Sequence, residues 1–176
     1  MLAELVASVD GLLARRADLD QRLARGAQRL GLWPTVSRLR CFRGVDTLTA
    51  LALQLEIVDW HRFRPAKLTS WLGLVPSVQQ SGETTTRGPI TKTGSQHARR
   101  LLVEAAWHYQ RPPRIGVALH RRQEGQPGEI LAITNRAQQR LYRTHHRLRG
   151  RGRHPNIATV AAARALTGFL WAAATL

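Results

Sequence analysis

The last twenty residues of the chain, Ile157 to Leu176, are almost wholly apolar and carry one charge, Arg164. A segment of that length and character has to be buried, either in lipid or beneath other helices. Arg164 interrupts it, and three threonines and many alanines dilute it, so its residues favour a core helix over a membrane span. We therefore read a final helix over 156–174, packed inside a helical protein.

The rest of the chain supplies such helices. Leu2, Leu5, Val9, Leu12, Leu19, Leu23 and Leu30 recur at the alternating three-and-four spacing of a coiled-coil seam, which Arg16 and Gly26 weaken. Residues 1–33 read as a coiled-coil-like connector helix, whose stripe needs a partner. Another helix of this chain, a segment upstream, or a second copy would serve, and a homo-oligomer is one expectation. An ordinary core-packed helix fits the same spacing.

Gly31 and Pro34 break that pattern, and residues 34–176 read as one mainly α domain. From Thr35 to Phe63 the pattern predicts a helical hairpin around the turn Arg40–Asp46. Asp46 is placed as an N-cap, and Leu48, Leu51, Ala52 and Leu55 line one face of the second helix. Pro65 opens a short helix reaching Trp71 or Leu72. Gly73 to Gly94 is rich in Gly, Pro, Ser and Thr, a structured loop with room for two short strands. Thr93 and Gln96 have capping-box spacing, and Ala98, Leu101, Leu102, Ala105, Ala106 and Tyr109 form the core face of the helix that follows. Pro112-Pro113 ends it, residues 114–124 can form another, and 129–149 read as a long basic helix. Trp60, Trp71, Trp107 and Trp171 lie at helical spacing among aliphatics, as core residues do.

Charge narrows the partner. Lys and Arg number 27 against 11 acidic residues, a net charge of +16, and all but Lys67 and Lys92 are arginine. A GC-rich genome accounts for arginine over lysine, but not for the excess over Asp and Glu. Such a surplus attracts a polyanion and makes binding salt-dependent, and the guanidinium fork grips phosphate oxygens in pairs. Nucleic acid is the favoured partner. The cations expected to hold it are Arg87 and Lys92 in the hydroxyl-rich loop, Arg99 and Arg100 just after it, Arg43 in the hairpin turn, and Arg140, Arg143 and Arg147 on the basic helix.

Several chemistries find no support. A single cysteine, Cys41, excludes an internal disulfide framework and a Cys-based zinc site and fits a reducing cytoplasm. No Gly-Lys-Ser/Thr phosphate loop, Gly-x-Ser-x-Gly elbow or His-Glu-x-x-His pair occurs, and no tight Asp/Glu cluster suggests a metal site. Among seven histidines only His97 and His108 stay as outside candidates. Ser81-Gly82 can display a hydroxyl on a sharp turn, although serine needs activation to act as a nucleophile.

The runs Leu72-Gly73-Leu74-Val75-Pro76, Ser81-Gly82, Gly88-Pro89-Ile90-Thr91-Lys92-Thr93-Gly94 and Arg99 to Ala106 together resemble the C-terminal domain of the transposases of insertion sequences 110, 116 and 902. Phe42 to Asp46 and Asp59 to Phe63 resemble it too, so the likeness covers roughly residues 35 to 174. The resemblance implies a serine recombinase guided by a structured bridge RNA, bacterial, cytoplasmic and nucleoid-associated. Its serine, matched here by Ser81, attacks DNA phosphodiesters. It also implies an N-terminal RNase-H-like domain with four acidic, magnesium-binding residues that have no counterpart here, so the expectation is a fragment unable to react alone. DNA and guide RNA are the expected partners. A non-catalytic nucleic-acid-binding module, the relic of a decayed element, stays open beside it, as does an oligomerisation module built on the N-terminal stripe.

Overall fold

The computed structural model describes residues 1–81 and 84–176, and at Arg87 the backbone alone. Helices α1 (Leu2–Arg29), α2 (Trp33–Leu39), α3 (Thr47–Ile57) and α4 (Pro65–Trp71) lead to strands β1 (Pro76–Ser81) and β2 (Thr84–Ile90). Then follow α5 (Gln96–Trp107) with a 3₁₀ turn at His108–Gln110, α6 (Val117–Gln123), α7 (Gly128–Gly150) and α8 (Pro155–Ala174). The domain is mainly α, as its periodicities predict.

Helix α8 is the hub, packing against α7, α5, α4 and α2. Its alanines at 158, 162, 163, 173 and 174 let neighbouring backbones approach, while Leu166 and Leu170 are fully buried and fill the gaps between them. Burying each leucine is worth about 1.5–3 kcal/mol. Its buried threonines stay satisfied locally: Thr159 and Thr167 donate to the carbonyls of Pro155 and Ala163, both at 3.0 Å. The helix is long and apolar enough to cross a membrane, but half of that window, 50%, is buried within the fold. Trp171 ties it to the loop before α4, its Nε1 donating to the carbonyls of Trp60 at 3.0 Å and Phe63 at 2.7 Å.

Local rules set several boundaries. Asp46 caps α3, its Oδ1 accepting the Thr49 N–H at 2.8 Å. Pro34 lies in the first turn of α2 and Pro65 in that of α4, where a missing N–H costs nothing. Thus Pro34 opens a helix as well as closing the connector.

Three expectations need correcting. In α3 the buried face is Ala50, Leu53, Gln54 and Ile57, together with Leu51, whereas Leu48 and Leu55 are exposed. That helix is apolar almost all round, so periodicity could not choose its inner face. The cap of α5 is Ser95, accepting from Ala98 N–H at 3.0 Å, not Thr93, whose hydroxyl turns to the Ser70 carbonyl at 3.4 Å. Trp107 is 43% exposed, outside the core that Trp60 enters.

The connector α1 buries one residue, Ala27, against the domain. Leu2, Leu5, Val9, Leu12, Leu19, Leu23 and Leu30 are all exposed in the single chain. Strands β1 and β2 pair antiparallel from Pro76↔Ile90 to Ser81↔Thr84, with an irregularity between Pro76 and Val78. Burial falls along β1 from half-buried at its base to exposed at Ser81, so the hairpin stands out from the helices.

Candidate functional site

Ser81 sits at the far end of β1, exposed, its Oγ 3.3 Å from Thr84 Oγ1 across the strand pair. The Thr84 hydroxyl also reaches the Ser81 carbonyl at 3.1 Å. Of the predicted dipeptide Ser81-Gly82, the glycine lies outside the described residues, and so does the side chain of Arg87. Ser77 braces the hairpin lower down, donating to the Pro89 carbonyl at 3.1 Å.

The base is closed by backbone contact. Gly73 at φ +65° and Gly94 at φ +69° sit where the segments entering and leaving the hairpin touch: a Cβ on Gly73 would strike Thr93, and one on Gly94 the carbonyl of Trp71 at the end of α4. Between them Lys92 takes φ 57° and its N–H donates to the Gly73 carbonyl at 3.1 Å. Arg99, on the first turn of α5, donates from one guanidinium nitrogen to the carbonyls of Leu72 at 3.0 Å and Thr93 at 2.8 Å. Arg99 thus fastens the hairpin base. Lys92 is exposed beside it, and Arg100 is exposed with Glu104 at 3.6 Å.

Arg43 lies elsewhere. Its guanidinium donates to the carbonyls of Arg111 at 3.3 Å and Pro112 at 2.8 Å, and it lines an open cavity of about 560 Å³ with Asp46, His108, Arg114 and Arg122. Three guanidinium groups share that cavity with one carboxylate. Burial, and then the charge of Arg43, hold the His108 imidazole below its ordinary pKa. Burial likewise lowers Arg43 and Arg122. The Thr49 N–H at the start of α3, beside this cavity, donates to Asp46 Oδ1 at 2.8 Å and is not free for an anion. His97 pairs with Glu56 at 3.0 Å, and hydrogen bonding to Ser95 and then to His97 lowers that carboxyl's pKa. Arg140, Arg143 and Arg147 are exposed along α7.

The predicted cations other than Arg87 therefore occupy three places: the hairpin base, the α2–α3 turn and the α7 face. Residue spacing did not reveal Arg114 and Arg122 beside Arg43, since they meet only in space. Among the described residues no group of three or more His, Cys, Asp or Glu stands together that could hold a metal ion. The magnesium implied by the resemblance finds no fitting donor set among them.

Fold and site define a mainly α domain, rich in surface arginine, that raises a hydroxyl-lined hairpin on a tightly packed base. Residues 36–120 match the Transposase IS116/IS110/IS902 family, so the chain carries a domain of that family. It is 43% identical over 140 residues to y4qE of Sinorhizobium fredii, assigned as a transposase, covering 79% of this chain and 36% of that protein. It is 30% identical over 133 residues to the transposase for insertion sequence element IS1533 of Leptospira borgpetersenii, covering 74% of this chain and 38% of the relative. The transposase for insertion sequence element IS1111A of Coxiella burnetii is 36% identical over 70 residues, 39% of this chain and 19% of its own length. The chain thus spans little more than a third of the length of the first two of these relatives. No solved structure matches it.

Proposed function

We propose that this chain is the part of a DNA transposase that presents the attacking hydroxyl, with Ser81 as the nucleophile in recombination. The observation that carries the reading is the position of Ser81: exposed at the end of a hairpin whose base is locked by Gly73, Gly94 and Arg99. A hydroxyl on such a mount can reach a phosphodiester that a helix surface could not. In the step proposed, Ser81 Oγ loses its proton and bonds to phosphorus, and one P–O bond to a sugar breaks with that oxygen taking up a proton. Lys92 and Arg100, with Arg87, Arg43, Arg140, Arg143 and Arg147, supply positive charge for DNA and for a structured guide RNA. The spent guanidinium nitrogen of Arg99 makes it a positioning residue first. The exposed stripe of α1 is the proposed contact with a second copy, and sedimentation of the chain as a monomer at every concentration would remove that part.

The test supplies the N-terminal portion of a relative, guide RNA and magnesium, then seeks a protein–DNA adduct on a denaturing gel. The adduct is expected to vanish in Ser81→Ala while salt-dependent DNA binding persists. An adduct that survives Ser81→Ala overturns the assignment.

A second reading is favoured by one fact: the described partner of Ser81 Oγ is another hydroxyl, not a base or cation. On that reading the chain binds nucleic acid without chemistry, and the same assay would show unchanged binding with no adduct in the wild type.

A further inference from the structure

Three depressions lie end to end along one face of α8. The first, about 720 Å³, opens between the hairpin base and the start of α8, with apolar walls from Pro76, Pro89, Ile90, Ile157 and Val160 and with Arg153 and Arg164 at its edge. The second, about 350 Å³, lies between the start of α4 and α8 and shares Ala161 and Arg164 with the first. The third, about 370 Å³, lies between α7 and α8 and shares Arg140, Ala165 and Gly168 with the second, adding Arg136. Ala161, Ala165, Gly168 and Ala172 recur at four, three and four residues and form a floor of small side chains. From Asn156 to Ala172 the trough runs about 24 Å at 1.5 Å per residue.

Its charge is one-sided. Arg136 and Arg140 stand a turn apart on α7, Arg164 on α8 and Arg153 in the loop before it, all exposed. Among the described residues no carboxylate lines any of the three depressions, and no ion pair joins these four arginines to an acid. Arg164 is the charge that interrupts the otherwise apolar last helix, and this trough is where it faces. Arginines left without counter-charge beside an apolar floor repel one another unless a polyanion joins them.

We propose that the trough seats an unpaired nucleic-acid strand, its phosphates on Arg153, Arg164, Arg140 and Arg136 and a base against the apolar walls beside the hairpin. The inference rests on the nucleic-acid reading above and adds the path of the strand and its unpaired state. Duplex hides base faces in its stack, whereas a single strand offers them to apolar walls and to guanidinium planes. The trough meets the hairpin at Gly88 and Pro89, so a strand lying in it is led towards the β1–β2 arm.

The test is fluorescence anisotropy of the full chain with labelled oligonucleotides of one sequence, as single-stranded DNA, single-stranded RNA and duplex DNA. Single strands are expected to bind more tightly than duplex, and the tighter of the two single strands identifies the natural occupant. Arg164→Ala should weaken single-strand binding about tenfold, as losing a phosphate contact or stacked base does. The slope of log affinity against log salt should flatten by about 0.7 for that phosphate. Ala161→Glu, placing a carboxylate where two depressions join, should weaken it further. Arg25→Ala on α1 removes the same charge outside the trough and should leave the preference for single strands intact. If Ala161→Glu melts early, Arg140→Ala with Arg164→Ala gives the answer from exposed positions alone. Equal affinity for duplex and single strand, or unaltered binding in the trough variants, overturns the trough and leaves nucleic-acid binding standing. Absence of binding to every oligonucleotide at low salt overturns both.

Discussion

Replacing Gly94 with alanine probes the mount on which Ser81 stands. Gly94 has φ +69°, and a Cβ there would meet the carbonyl oxygen of Trp71, which belongs to the end of α4. Backbone cannot step aside as a flexible side chain does, so either α4 or the hairpin exit has to move. The left-handed conformation costs an alanine about 1–2 kcal/mol. Crowding against fixed neighbours adds about 1–3 kcal/mol. The smaller conformational freedom of alanine in the unfolded chain returns about 0.4–1 kcal/mol. A net loss near 3 kcal/mol lowers the Tm of a chain this size by about 6–12 °C. Thermal unfolding followed by circular dichroism measures it. Gly168→Ala is the contrast: no heavy atom lies within 4 Å of its Cβ in the middle of α8, so it should gain about 0.4–1 kcal/mol. A Gly94→Ala protein melting at or above the wild-type temperature would refute the locked base.

The other expectations follow from single contacts. Trp171→Phe deprives the Trp60 and Phe63 carbonyls of a shared donor and should cost about 1–3 kcal/mol in urea unfolding; a neutral result would show the indole N–H to be dispensable. Asp46→Ala removes the α3 cap and should cost about 1 kcal/mol, most of it recovered in Asp46→Asn. Burial pushes the Cys41 thiol from 9.0 up to about 11, Arg40 and Arg122 opposing it. The folded chain then holds a proton that the unfolded chain releases, so this contribution is complete below pH 9 and is lost as pH rises towards 11. Stability measured across that window should fall less steeply in Cys41→Ala, and equal slopes would reject the assignment.

The parts of this protein legible in its sequence obey rules that act over a few residues. Asp46 before an apolar run is a cap whatever surrounds it, Pro34 and Pro65 suit first helical turns, and the Gly73–Gly94 composition forbids a helix there. The charge surplus is a property of composition alone, and the family likeness is carried by short runs of residues around Ser81. Tertiary structure decided what those rules leave degenerate. α3 is apolar on nearly every side, so only packing could choose Ala50 and Leu53 over Leu48 and Leu55 as its inner face. The cap of α5 fell to Ser95 because the backbone at Gly94 is pressed against Trp71 and Thr93 is drawn to Ser70. Arg99 looks in sequence like any exposed cation, yet two carbonyls claim it. Arg136, Arg140, Arg153 and Arg164 come from three elements and become one surface only when α7, the following loop and α8 meet, because electrostatic neighbourhood depends on distance in space and chain spacing does not record it.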